Sequence, residues 1–123
     1  MYMNLHNVND ETVLSCTENR CVLSFTIPAT SDFFDGHFPQ YHLLPAVAQF
    51  ELVTRFAKKY FGTARTVPYI KRIKFSAPIR PDTTVTLSLE YDSGREIVSY
   101  TLTDAITPDK AYSTGTFGVL RAH

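Results

Sequence analysis

One segment of this chain carries a helical period, and the longest apolar runs on either side of it alternate in twos. After Leu44-Pro45 the residues Ala46, Val47, Phe50, Val53, Ala57, Tyr60 and Phe61 recur at the i, i+3, i+4, i+7 spacing, and Leu52 and Phe56 widen that stripe toward the whole circumference. The spacing predicts a mostly buried helix. Pro45 suits its first turn, Gly62 its C-terminal cap, and Lys58 and Lys59 the negative end of its dipole.

The flanking segments read as strands. Val13 to Cys16 and Cys21 to Ile27 form a short hairpin, the second run alternating Cys21, Leu23, Phe25 and Ile27 against Val22, Ser24 and Thr26 before Pro28 ends it. Beyond the helix, Tyr69 to Phe75 alternates, and Val85, Leu87, Leu89 and Tyr91 alternate with Thr84, Thr86, Ser88 and Glu90. Pro78 and Pro81 confine the join between those two runs to an edge or bend. Asp92-Ser93-Gly94-Arg95 turns the chain into Ile97 to Thr103, and Thr107-Pro108-Asp109 turns it into Ala111 to Leu120. A single helix cannot cover both faces of five or six antiparallel strands. The simplest packing curls the sheet around the helix, which makes an α+β domain.

A chain of 123 residues with 44% hydrophobic content fits one domain over residues 1–123. Formal net charge is zero, no apolar run approaches the ~20 residues of a membrane span, and the opening residues lack the zones of a signal peptide, so a soluble cytoplasmic protein is expected. Cys16 and Cys21 flank four polar residues and face each other across the hairpin. In a reducing compartment they are read as free thiols with no assigned role. Two cysteines without a nearby histidine make a poor zinc site, and no metal is expected.

The chemistry concentrates in His37 and Glu51, fourteen positions apart. An imidazole exchanges a proton near neutral pH, and a carboxyl group in a partly apolar pocket can be held neutral as the complementary acid. Each residue also has a plainer reading. A histidine after glycine is commonly a loop residue, and Glu51 shares the polar arc of the helix with Arg55, Lys58 and Lys59, where it can pair with Arg55 at i+4.

Phe34-Asp35-Gly36-His37-Phe38-Pro39, then Leu43-Leu44-Pro45-Ala46-Val47, then Glu51 resembles the active-site stretch of the beta-hydroxyacyl-ACP dehydratases of the FabZ and FabA type. Ile70 to Pro81 is similar to the strand that follows the helix in that family, and the order of elements agrees from about residue 10 to the end. The short N-terminal start and the Leu-Leu-Pro wording look most like the ApeI-type thioester dehydratases of aryl polyene clusters. The resemblance implies a hotdog fold, a curled antiparallel sheet wrapped around one long central helix. It also implies elimination of water from a (3R)-hydroxyacyl thioester, in fatty acid or aryl polyene type biosynthesis. By that analogy His37 removes the alpha proton, and Glu51 of a partner subunit protonates the departing hydroxyl. The amides of Ala46 and Val47 receive the thioester oxygen, and Gly36, Phe38 and Pro39 line the substrate path. Three positions depart from the family wording. Ala46 replaces a usual glycine and puts a methyl near the substrate; His42 replaces a usual proline; Arg55 replaces the glutamine of FabZ, and its cation favours an ionised Glu51.

Residues 55 to 80 contain eight Lys or Arg and no Asp or Glu. Such a run is ordinarily a solvated surface. An acidic acyl carrier protein is the partner it suits, with Arg55, Lys58, Lys59, Lys71, Arg72 and Lys74 as docking residues, whereas nucleic acid lacks a motif here. The carrier's phosphopantetheine brings the acyl group, so no further cofactor is expected. The resemblance implies a homodimer with shared sites, or a higher oligomer or heterodimer. Two other functions stay open: a noncatalytic dehydratase subunit that needs a partner, and a hotdog acyl thioesterase.

Overall fold

The computed structural model describes residues 8–28 and 46–121. Within them the elements run β1 (Asn9–Cys16), β2 (Arg20–Ile27), α1 (Ala46–Phe61), β3 (Thr63–Phe75), β4 (Thr83–Asp92), β5 (Ile97–Asp104) and β6 (Ala111–Arg121). The strands form one antiparallel sheet in the order β1-β2-β4-β5-β6-β3. The chain therefore leaves the sheet after β2, passes through the helix, and returns at the opposite edge before β4, β5 and β6 fill the middle.

Alternation decides which face is covered. Cys21, Leu23, Phe25 and Ile27 of β2 and Val85, Leu87, Leu89 and Tyr91 of β4 are buried, and their register, Cys21 opposite Leu89, Leu23 opposite Leu87 and Phe25 opposite Val85, stacks them in rows. Leu52, Val53, Phe56 and Ala57 of α1 join this core. The Phe25 and Phe56 rings meet at 4.8 Å between centroids. Burying one such side chain contributes about 1.5–3 kcal/mol, so these few contacts account for much of the hold between helix and sheet. The other face of the sheet is hydroxyl-rich, with Thr26 bonded to Thr84 at 2.6 Å and Ser99 to Thr116 at 3.2 Å.

β6 and β3 approach closely at one point. Gly115 lies opposite Ile73 of β3, and a Cβ at that glycine would come within 2.6 Å of both the Arg72 carbonyl and the Ile73 Cδ1. Only the missing side chain lets the β3 backbone press so close. Gly62 closes the helix as expected: its φ is +69° and its N–H donates to the Lys58 carbonyl at 3.0 Å.

β3 departs from the sequence expectation in length. It starts at Thr63, directly after the cap, rather than at Tyr69. Its pairing with β6 is irregular between Val67 and Lys71, the stretch that contains Pro68. A proline cannot donate to the ladder and breaks the alternation, but an edge strand tolerates it. The two later turns follow their sequence signatures. Asp92 Oδ1 accepts the Arg95 N–H at 3.1 Å, and Asp104 Oδ1 accepts those of Ile106 and Thr107 at 2.9 Å. No helix among the described residues is long and apolar enough to cross a membrane.

Candidate active site at the opening of the helix

Helix α1 begins at Ala46, so Ala46 and Val47 occupy its first turn, where amide groups have no intrahelical acceptor. That turn contains no acidic residue. Nothing in it competes with a ligand anion for the positive end of the dipole. Glu51 follows five residues later, roughly 7.5 Å along the axis by the standard rise. It is exposed, on the same outward arc as Arg55, Lys58 and Lys59, while Leu52, Val53, Phe56 and Ala57 turn inward. Helix packing thus presents the carboxylate away from the chain's own core. Thr54 Oγ1 donates to the Glu51 carbonyl at 2.9 Å, and the Arg55 guanidinium sits 5.7 Å from the Phe56 ring centre. His37, Gly36, Phe38 and Pro39, with His42, lie outside the described residues.

Among the described residues two polar tethers hold this helix, and neither was read from the sequence. At the opening end Gln49 is buried, and its Nε2 donates to the Ala77 carbonyl at 2.9 Å. Ala77 is itself bound to the sheet, its N–H donating to the Tyr112 carbonyl at 3.2 Å. An amide two positions before Glu51 therefore couples the first turn of the helix to β6. The signal available was one polar residue on the inward side of an apolar stripe. At the closing end Glu11 of β1 accepts hydrogen bonds from Lys59 Nζ, at 2.5 Å, and from the Tyr60 hydroxyl. Burial opposes ionisation of Glu11, but the bonds from Lys59 and Tyr60, with the charges of Lys59 and Arg55, outweigh it and hold the carboxyl below its ordinary range. Tyr60 moves the other way, pushed up by burial and then by the Glu11 carboxylate.

The cations expected to dock a partner divide between two layers. Arg55, Lys58 and Lys59 are exposed on α1. Arg72 and Lys74 are exposed on β3 opposite Thr116 and Thr114, whose neighbours Ser99 and Thr101 belong to the hydroxyl-bearing face away from the helix. Lys71 takes a register position opposite Phe117. Arg72 and Lys74 thus lie on the sheet face away from the helix that carries Arg55, Lys58 and Lys59. Lys59 is already engaged by Glu11.

The family described as ApeI-like, ApeI dehydratase, matches residues 13–116. Solved structures share the fold. The dehydratase heterocomplex ApeI:P from Xenorhabdus doucetiae superposes with a TM-score of 0.72 at 22% identity, covering 91% of this chain and 99% of that one. An uncharacterized protein from Erwinia carotovora subsp. atroseptica gives 0.69 at 25% identity over 93% and 94%. A hypothetical thioesterase from Streptococcus pneumoniae with coenzyme A gives 0.66 at 12% identity over 92% and 89%. No curated protein matches the sequence. The antiparallel sheet curled around one helix is the hotdog fold, as the sequence resemblance implied.

Proposed function

The chain belongs to the ApeI-like dehydratase family, and from that premise we propose that it eliminates water from a (3R)-hydroxyacyl thioester carried by an acyl carrier protein, leaving a trans-2-enoyl thioester. The observation that carries this reading is the opening of α1: Ala46 and Val47 in a first turn free of acidic residues, with Glu51 outward on the same helix. The first supplies donors for an enolate oxygen and the second a proton for a leaving hydroxyl.

In this mechanism the thioester carbonyl binds the amides of the first turn, and His37 takes the proton from the alpha carbon. Negative charge gathers on the carbonyl oxygen, where the helix end stabilises it. The bond from the beta carbon to oxygen then breaks, Glu51 delivers a proton to the departing hydroxyl, and water leaves as the double bond forms. The outward placement of Glu51 suits a site shared between two subunits, in which one contributes His37 and the other Glu51. The Xenorhabdus relative is a dehydratase heterocomplex, which supports a second subunit here, either a copy of this chain or a different one. The acyl group arrives on the carrier's phosphopantetheine. Arg55 and Lys58 are the helix cations that the carrier's acidic surface meets, with Lys71, Arg72 and Lys74 reached only by a partner that spans the β3 edge.

Mass spectrometry of (3R)-hydroxyacyl carrier protein tests the proposal. Wild type should remove the mass of one water from the acyl group, and His37→Ala and Glu51→Gln should each abolish that loss while remaining folded. Release of the free carrier thiol instead would identify an acyl thioesterase, the class for which the hypothetical thioesterase from Streptococcus pneumoniae is named. Binding without turnover that a second dehydratase subunit restores would identify a subunit that completes its site with another chain.

A further inference from the structure

The β1–β2 hairpin ends in two cysteines that the mechanism does not use. Cys16 and Cys21 are direct partners in the ladder. The next pair toward the turn is hydrogen-bonded, since the Thr17 N–H donates to the Arg20 carbonyl at 2.6 Å and the Arg20 N–H returns to Thr17 Oγ1 at 3.1 Å. Alternation along an antiparallel ladder makes Cys16 and Cys21 a non-hydrogen-bonded pair, the type whose Cα atoms approach to about 4.5 Å and whose side chains are nearest. That lies at the short end of the span a disulfide bridges, roughly 4.4–6.8 Å between Cα atoms. Both residues are free thiols, and their surroundings differ: Cys21 has no exposed surface and belongs to the core, while Cys16 is exposed. The thiols touch. Cys21 is pushed up to about 12, first by burial, then by a hydrogen bond with Cys16 and the charges of Cys16 and Glu11.

We propose that Cys16 and Cys21 form a reversible cross-strand disulfide by exchange with a small-molecule disulfide of the glutathione class, with Cys16 as the point of entry. The Cys16 thiolate attacks one sulfur of the reagent, forms a mixed disulfide and expels one thiolate. Cys21 gives its proton to solvent and attacks the Cys16 sulfur, which expels the second thiolate and closes the protein disulfide. The protein gives up two protons and two electrons, and the reagent is reduced to two thiols. Exposure sets this order, because Cys21 offers the reagent no surface. Burial of Cys21 slows the second step, so the mixed disulfide is an observable intermediate. The exposed Cys16 sulfur leaves the product open to reduction.

Its structural effect falls on β1. That strand is exposed along nearly its whole length, has two irregularities in its pairing, and carries the Glu11 that holds Lys59 and Tyr60. A covalent link at the turn holds it against β2 when those pairings open.

The test uses the reduced full chain incubated with oxidised glutathione, then unfolded and alkylated. Intact mass should show a species two hydrogen masses lighter that takes up no alkyl group, and proteolysis should join the Cys16 and Cys21 peptides. Dithiothreitol should restore both thiols, and amides of β1 should exchange more slowly with deuterium in the oxidised form. Cys21→Ala should stop at a glutathione adduct on Cys16. Because that change opens the core, Cys16→Ser provides the second control, and it should take up no glutathione at all. A wild type that keeps both thiols alkylatable, that stops at the Cys16 adduct with Cys21 free, or that links two chains through Cys16 overturns the proposal.

Discussion

The two ends of helix α1 are held by different means. The closing end has a glycine cap, two basic residues in its last turn, and a carboxylate from β1 that accepts from both Lys59 and Tyr60. Among the described residues the opening end is tied by the buried Gln49 side chain, while its first turn carries no acidic residue and Glu51 looks outward. Interactions that satisfy a helix terminus also occupy it. Where a fold must leave amides for a ligand, the anchoring has to come from the opposite end and from the apolar face between them.

The widest break in this comparison comes from the stripe that both ends share. Phe56 is fully buried against Phe25, and Phe56→Ala should cost about 3–5 kcal/mol of unfolding free energy, measured by urea denaturation. Loss of that order would release both ends together. A much smaller loss would mean that the polar tethers hold the helix. Glu51→Gln makes the opposite kind of change. It should lower the dehydration rate by about 10²-fold or more and leave the urea midpoint unmoved, because an exposed carboxylate contributes little to folding. An unchanged rate would return Glu51 to the role of a surface residue, and a rate that falls only with the urea midpoint would make its role structural.

Gln49 sharpens the comparison at the opening end. Gln49→Met retains the size and removes the bond to the Ala77 carbonyl, which should cost about 1–3 kcal/mol. If Gln49 positions the first turn, the dehydration kcat should fall further than the fraction unfolded accounts for, with a smaller change in KM. A fall in kcat that merely tracks unfolding would restrict Gln49 to stability.

Local pattern made most of this arrangement legible beforehand. Alternation in β2 and β4 predicted their buried faces residue by residue, and the helical period predicted α1 with its outward arc at Glu51, Arg55, Lys58 and Lys59. What escaped depends on distance along the chain or on broken periodicity. Thr63 to Pro68 does not alternate, so the start of β3 could be found only from its pairing with β6. Glu11 meets Lys59 forty-eight residues away, and no spacing rule links a carboxylate on an edge strand to a helix end. The division of the basic run between helix and sheet has the same origin, because a charge count along the sequence is blind to the face each strand residue takes.

The smallest effect belongs to that Glu11 clasp, and its pH dependence separates it from packing. Glu11 titrates below 4.5 in the folded chain, so its contribution is fully present above the unfolded value and disappears as pH falls through the folded one. Glu11→Gln keeps an acceptor for Tyr60 but removes the charge that Lys59 meets. It should lower stability near pH 7 by no more than about 1 kcal/mol, since Lys59 is largely exposed and solvent screens the pair. The wild-type advantage should shrink as acid protonates the carboxylate, so unfolding curves for the two proteins should converge once the pH is below the one at which the folded carboxyl titrates. Curves that stay parallel below that pH would mean that the cost of glutamine at this position is one of fit rather than charge. The closing end would then be held by its cap and its apolar face, as the opening end is held by Gln49 and the same face, and the contrast between them would reduce to which amides are left open.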